Sequence, residues 1–247
     1  MLTDRFGDAL AFAEALHRGQ TRKGANTPYI SHLLAVASMV LEWTTDEDVV
    51  IAALLHDAVE DQGGVRTAEE IRDRYGDYVA ELVLACTDSL SEDPRSKEPW
   101  IDRKRRHVSK LASASADVAL ITAADKLHNV TAILRDVRTA GPQTLQRFNS
   151  PDHIGWYYTA VAIALTQHEA VAPVAELRTR AAELVTLLGG GGGESSRRSM
   201  NSNLRGSSPS SPAAGRASCH AVVIERGGIL PDQHTGAERS RGDALAL

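Results

Sequence analysis

Apolar residues along this chain recur three and four positions apart, as in Leu10, Ala13 and Leu16, then Leu33, Val36 and Val40, then Leu54 and Val59. That spacing marks one buried face of an α-helix, and it runs from about residue 4 to residue 187 with no strand-like alternation competing. The pattern predicts an all-α protein. Thr67 followed by Glu70 reads as a capping box opening a helix, and Tyr75-Gly76 ends that helix before another reaching about Thr87. Further helices are predicted over 99–112, 116–137, 154–169 and 173–187. The connections carry Gly, Pro, Asn or Ser, as at 23–28, 89–99 and Gly141-Pro142, which suits a compact helical bundle.

The periodicity stops after Leu188. Five consecutive glycines open a stretch rich in Ser, Gly, Pro and Arg, and 11 of the 19 glycines lie in the last 59 residues. Every Trp, Tyr and Phe lies at or before Tyr158, so the end of the chain has little with which to build a core. Composition therefore divides the protein into one domain, 1–188, and a low-complexity tail, 189–247, expected to be disordered. Within that tail, Ala221–Ile224 is apolar but too short to fold alone.

Charge narrows the partners. Residues 1–188 carry 20 Lys and Arg against 27 Asp and Glu, a net charge of −7 that makes a poor nucleic-acid surface. The two cysteines, Cys86 and Cys219, indicate neither a disulfide framework nor a CxxC metal site. No leader-like segment opens the chain and no apolar run approaches the ~18 residues of a membrane span, so the expectation is a cytoplasmic protein away from membranes.

Candidate chemistry appears where polar residues interrupt the apolar faces. In Leu54-Leu55-His56-Asp57-Ala58-Val59-Glu60-Asp61, an unbroken helix would place one imidazole and three carboxylates within an arc of roughly 140°. Three clustered carboxylates are costly unless a cation compensates, and imidazole nitrogen with carboxylate oxygen suits a divalent transition metal better than calcium. Two further segments, PYISH ending at His32 and ADKLHN starting at Ala124, offer ligands of the same types. His32, His56, Asp57 and Asp125 would leave coordination positions open for water and substrate, as hydrolysis requires. His128, one helical turn beyond Asp125, fits a supporting position behind a ligand. The basic run 102–107 makes Arg103, Lys104 and Arg106 candidates for phosphate contact, although such runs are often only solvated faces. Trp156, Tyr157 and Tyr158 read as core, and Tyr29 as packing beside His32.

From about Ala11 to Tyr158, Arg22-Lys23 with PYISH, then LLHDAVED, then AADKLHN, resemble the HD superfamily. Within it, they are similar to the hydrolase domain of RelA/SpoT homologues and to small alarmone hydrolases. The resemblance implies a single HD-domain helical bundle that removes the 3′-pyrophosphate of ppGpp and pppGpp, usually with manganese. It also implies that His32, His56, Asp57 and Asp125 are the metal ligands and that Glu60 and Asp61 orient or activate water. By the same resemblance, Arg22, Lys23 and Asn129 contact the substrate. A carboxylate one turn from a ligand is suitably placed to accept a proton, which agrees with the role given to the acidic pair. Two other functions remain open from sequence: a different nucleotide phosphohydrolase, such as one acting on NADPH, and a nucleotide-binding HD module without turnover.

Overall fold

The computed structural model describes residues 1–90 and 98–190. The expectations for the tail from residue 191 onward, Ala221–Ile224 and Cys219 included, lie outside the described residues. Among the described residues ten α-helices follow in order: α1 (Asp4–His17), α2 (Ile30–Leu41), α3 (Glu47–Leu55), α4 (Ala58–Asp61), α5 (Gly64–Tyr75), α6 (Asp77–Cys86), α7 (Trp100–Leu111), α8 (Ala116–Ala140), α9 (Ile154–Ala164) and α10 (Val174–Gly190). No strand occurs among the described residues, only an isolated bridge between Thr21 and Pro28, so the fold is all-α as the periodicity predicts.

Local sequence sets the helix ends. Thr3, Asp46 and Ser115 accept from backbone N–H groups at the starts of α1, α3 and α8, satisfying donors that a helix leaves free. Gly76 and Gly141 close α5 and α8 at φ 94° and 86°, a region disfavoured for residues with a Cβ.

Two expectations are corrected. The helix containing Thr67 starts at Gly64, after Gly63 at φ 115°, so Thr67 is an interior residue whose hydroxyl donates to the Gln62 carbonyl. Glu70 pairs with Arg74 one turn along. Nor is 54–61 one continuous helix. The ladder breaks at His56-Asp57, where Asp57 adopts φ −98° and ψ −5°, and resumes as the single turn of α4. At its far end, α10 reaches Gly190, two residues past the boundary composition suggests.

The core is centred on α3, whose residues from Val49 to Leu55 are all buried and which packs on α1, α2, α6 and α8. Fully burying each large side chain, as at Ile51, Leu54 and Leu55, contributes roughly 1.5–3 kcal/mol. α8 supports the other side, meeting α2, α6 and α10. Because α2, the α3–α4 junction and α8 converge, three distant polar interruptions of the sequence reach one place.

Candidate active site

His32 enters from the first turn of α2, His56 and Asp57 from the α3–α4 break, and Asp125 from the middle of α8. Ligand atoms of His32, His56 and Asp57 all lie within 4.8 Å of one another. His32 Nε2 is 3.6 Å from Asp57 Oδ2 and 3.3 Å from Asp125 Oδ1; His56 Nε2 is 3.0 Å and 3.8 Å from the same atoms. Both imidazoles are buried, yet neither Nε2 has a hydrogen-bond partner.

The far nitrogens explain why those lone pairs face inward. His56 Nδ1 lies 2.8 Å from the Ala53 carbonyl, which can only accept, so Nδ1 carries the proton of the neutral ring and Nε2 is the nitrogen that can offer a lone pair to a cation. His32 Nδ1 meets His128 Nδ1 at 2.8 Å. Burial and the neighbouring His32 and Arg22 charges lower the His128 pKa to about 4, and the Nδ1–Nδ1 contact holds the far side of the His32 ring so that Nε2 faces the carboxylates. Two inward Nε2 atoms beside two carboxylates fit a divalent cation, each ring being held from behind.

Electrostatics agree. Burial opposes a charged His56, but Asp57 and Asp125 outweigh it and push its pKa up to about 9. Burial also opposes charge on Asp57, yet His56 and His32 hold that carboxyl well below its ordinary range. Asp125 is likewise held low against its burial, chiefly by Lys126, whose ammonium donates to Oδ2. In the absence of a metal, a proton on His56 would supply part of the positive charge a cation provides.

Around this cluster opens a cleft of about 710 Å³. Arg22, Lys23 and Asn129 line it, with Arg22 donating to Asn129 Oδ1 and Asn129 donating to Asp125 Oδ1. Glu60 and Asp61 line it too, in unlike surroundings. Glu60 accepts from the Asp88 N–H and lies 3.6 Å from Arg103. Its pKa is pushed up to about 7: burial raises it, Lys104 opposes, and Asp88 and Asp57 add to the rise. Asp61 is exposed and accepts from Gln20.

The basic run divides. Lys104 lines the cleft and pairs with Asp88. Arg103 is not brought to the cleft lining; it is buried against Asp88 and the carbonyl of Glu98. Arg106 is exposed and pairs with Glu98 at 2.6 Å, also outside the cleft lining. Successive residues on α7 point about 100° apart, so one helix does not turn this whole run toward one opening. Tyr157 and Tyr158 are buried as expected while also lining the cleft, whereas Trp156 is exposed and outside it. Tyr29 packs edge-on to His32, and its hydroxyl donates to Asp57 Oδ2 at 2.6 Å. Reasoning from sequence missed Arg147 and Phe148, which close the cleft beside Lys23 from the end of a short 3₁₀ helix, Pro142–Arg147, that carries no periodic signal.

A bundle with this centre defines the HD class of metal-dependent phosphohydrolases. Residues 9–149 match the family model described as HD domain, and the chain belongs to that family. The guanosine-3′,5′-bis(diphosphate) 3′-pyrophosphohydrolase of Drosophila melanogaster is 36% identical over 141 residues, covering 56% of this chain and 72% of the fly protein. The Homo sapiens protein of the same description is 34% identical over 152 residues, 60% of this chain and 78% of its own length. A solved structure of a metazoan ortholog of SpoT, described as hydrolysing ppGpp, is similar with a TM-score of 0.58 and 29% identity, covering 76% of this chain and 98% of that one.

Proposed function

We propose that this chain hydrolyses the 3′-pyrophosphate of guanosine tetra- and pentaphosphate, releasing pyrophosphate and leaving GDP or GTP, with one divalent cation held by His32, His56, Asp57 and Asp125. The observation that carries the reading is the pair of buried Nε2 atoms, without hydrogen-bond partners, facing two carboxylates beside a cleft with basic residues in its lining. Similarity to ppGpp hydrolases supports the substrate. Manganese suits the mixed nitrogen and oxygen donors.

When bound, the cation would supply Lewis acidity toward a phosphoryl oxygen and lower the pKa of water. Glu60, with its proton affinity near neutrality, accepts a proton from the attacking water, while Asp61 orients that water. Arg22, Lys23, Asn129 and Lys104 bind and align the phosphates. Arg103 supports Glu60 and Asp88 rather than the substrate.

The catalytic domain is assigned to residues 1–188, because every residue lining the cleft lies between Gln20 and Tyr158. The reading further assigns a small nucleotide substrate and a cytoplasmic site of action. The acidic balance of 1–188 disfavours nucleic acid, and no helix among the described residues is long and apolar enough to cross a membrane.

Chromatography of products from ppGpp, GTP, GDP and NADPH, each with manganese-loaded protein, tests the substrate. GDP and pyrophosphate from ppGpp is the expected result; phosphate from NADPH alone would retain the centre and overturn the substrate.

A further inference from the structure

We infer that Gln20 is a positioning residue that sets the Asp61 carboxylate for hydrolysis, with His17 as the buried anchor fixing Gln20. The inference rests on the proposed role of Asp61. Gln20 lies between α1 and α2, outside the metal cluster, and its amide hydrogen bonds define its orientation. Its Oε1 is 2.7 Å from His17 Nδ1 and accepts from Gln62 Nε2 at 2.6 Å, while its Nε2 donates to Asp61 Oδ2 at 2.8 Å. A flipped amide would set an NH2 group against the Gln62 donor and a carbonyl oxygen against a carboxylate, so the observed orientation is the satisfied one.

Both ends of this link are held. The Gln20 N–H donates to the His17 carbonyl at 2.9 Å, and the Gln20 carbonyl accepts from the Tyr29 N–H at 2.9 Å. His17 is 2% exposed, and its ring stacks on Tyr29 with centroids 5.2 Å apart. Since Gln20 Oε1 only accepts, His17 Nδ1 carries the proton of that contact. Tyr29 in turn donates to Asp57 Oδ2. One short segment, 17–29, therefore reaches a candidate ligand through Tyr29 and a water-handling carboxylate through Gln20.

The contrast within the acidic pair gives the amide its purpose. Glu60 is half-buried among Arg103, Lys104 and Asp88, whereas Asp61 is exposed on a single-turn helix. An exposed carboxylate samples several rotamers unless a neighbour selects one. A neutral donor selects a rotamer without adding a formal charge beside the reacting phosphates, as Lys or Arg would. Selection of the productive rotamer would act on turnover more than on substrate affinity.

The test is a double-mutant cycle. Wild type, Gln20→Met, Asp61→Asn and the double variant are assayed with manganese on ppGpp and on bis(4-nitrophenyl) phosphate, a chromogenic probe needing no guanine recognition. Gln20→Glu is included because it keeps the shape while replacing the donor by an acceptor. Loss of kcat by about 10–100-fold in Gln20→Met, with KM within about twofold and metal stoichiometry and Tm retained, is expected, an effect of the size misplacement near a reacting centre produces. Gln20→Glu should lose at least as much, and Gln20→Met should add little in the Asp61→Asn background. A wild-type kcat in Gln20→Met, or independent multiplication of the two losses, would overturn the inference while leaving the hydrolase reading intact. Wild-type protein inactive on both substrates would instead overturn the hydrolase reading and this inference with it.

Discussion

The imidazoles of His32 and His128 meet Nδ1 to Nδ1 at 2.8 Å, so the nitrogen of His32 facing away from the acidic cluster is held by a residue from α8. This contact fixes which face of His32 is free to ligate. Supporting partners of this kind are typically worth 10–100-fold in metal affinity. His128→Leu should therefore weaken manganese binding by about that factor without abolishing it, as read by calorimetric titration. Unchanged affinity would remove His128 from the centre.

Asp88 is the hub of the ion pairs behind Glu60. Its side chain is 2% exposed and accepts from both Arg103 and Lys104. Burial opposes its charge, but Lys104 and Arg103 hold its pKa below the ordinary 3.8. Asp88→Ala leaves two largely buried cations without that carboxylate and should cost about 3–5 kcal/mol in urea unfolding. The sign of the pH effect follows: the stabilisation from ionised Asp88 is present above pH 3.8 and is lost as pH falls toward the lowered folded value. Asp88→Asn should flatten that acid limb.

Glu60 titrates in the opposite sense. Its folded pKa of about 7 exceeds the ordinary 4.5, so the native state holds this proton more tightly and its contribution to stability is lost as pH rises through that window. Activity moves the other way, because a base works only when deprotonated. The kcat profile should rise with a midpoint near pH 7, and Glu60→Gln should remove that limb while lowering kcat by about 10²–10⁴-fold. An unshifted profile in Glu60→Gln would assign the limb to another group.

A chain ended after Gly190 keeps all of α10 and every residue lining the cleft. It should retain metal stoichiometry and kcat within about twofold, because the described residues of the site are all kept. Loss of rate would mean that later residues take part.

Helix periodicity located most elements because burial in a bundle repeats every three to four residues. It also singled out His32, His56, Asp57 and Asp125, since polar groups on apolar faces require a partner. Periodicity could not show the break at His56-Asp57, which depends on the backbone turning Asp57 toward Tyr29 and the two imidazoles. The capping pattern at Thr67 misled because Gly63 and Gly64 at positive φ open the helix earlier. Arg103, Lys104 and Arg106 look alike in sequence, and only packing separates the cleft-lining lysine from its neighbours. Gln20 gave no signal, its role arising from three side chains meeting across separate segments.

The central claim is that one divalent cation at His32, His56, Asp57 and Asp125 drives hydrolysis. Manganese titrated into metal-stripped protein, with bound metal and ppGpp turnover recorded at every addition, tests it most directly. The account predicts that rate rises in proportion to bound metal and levels off at one equivalent per chain, with Asp57→Asn failing to take up that equivalent. Full activity in stripped protein, or a complete equivalent bound to Asp57→Asn, would contradict it.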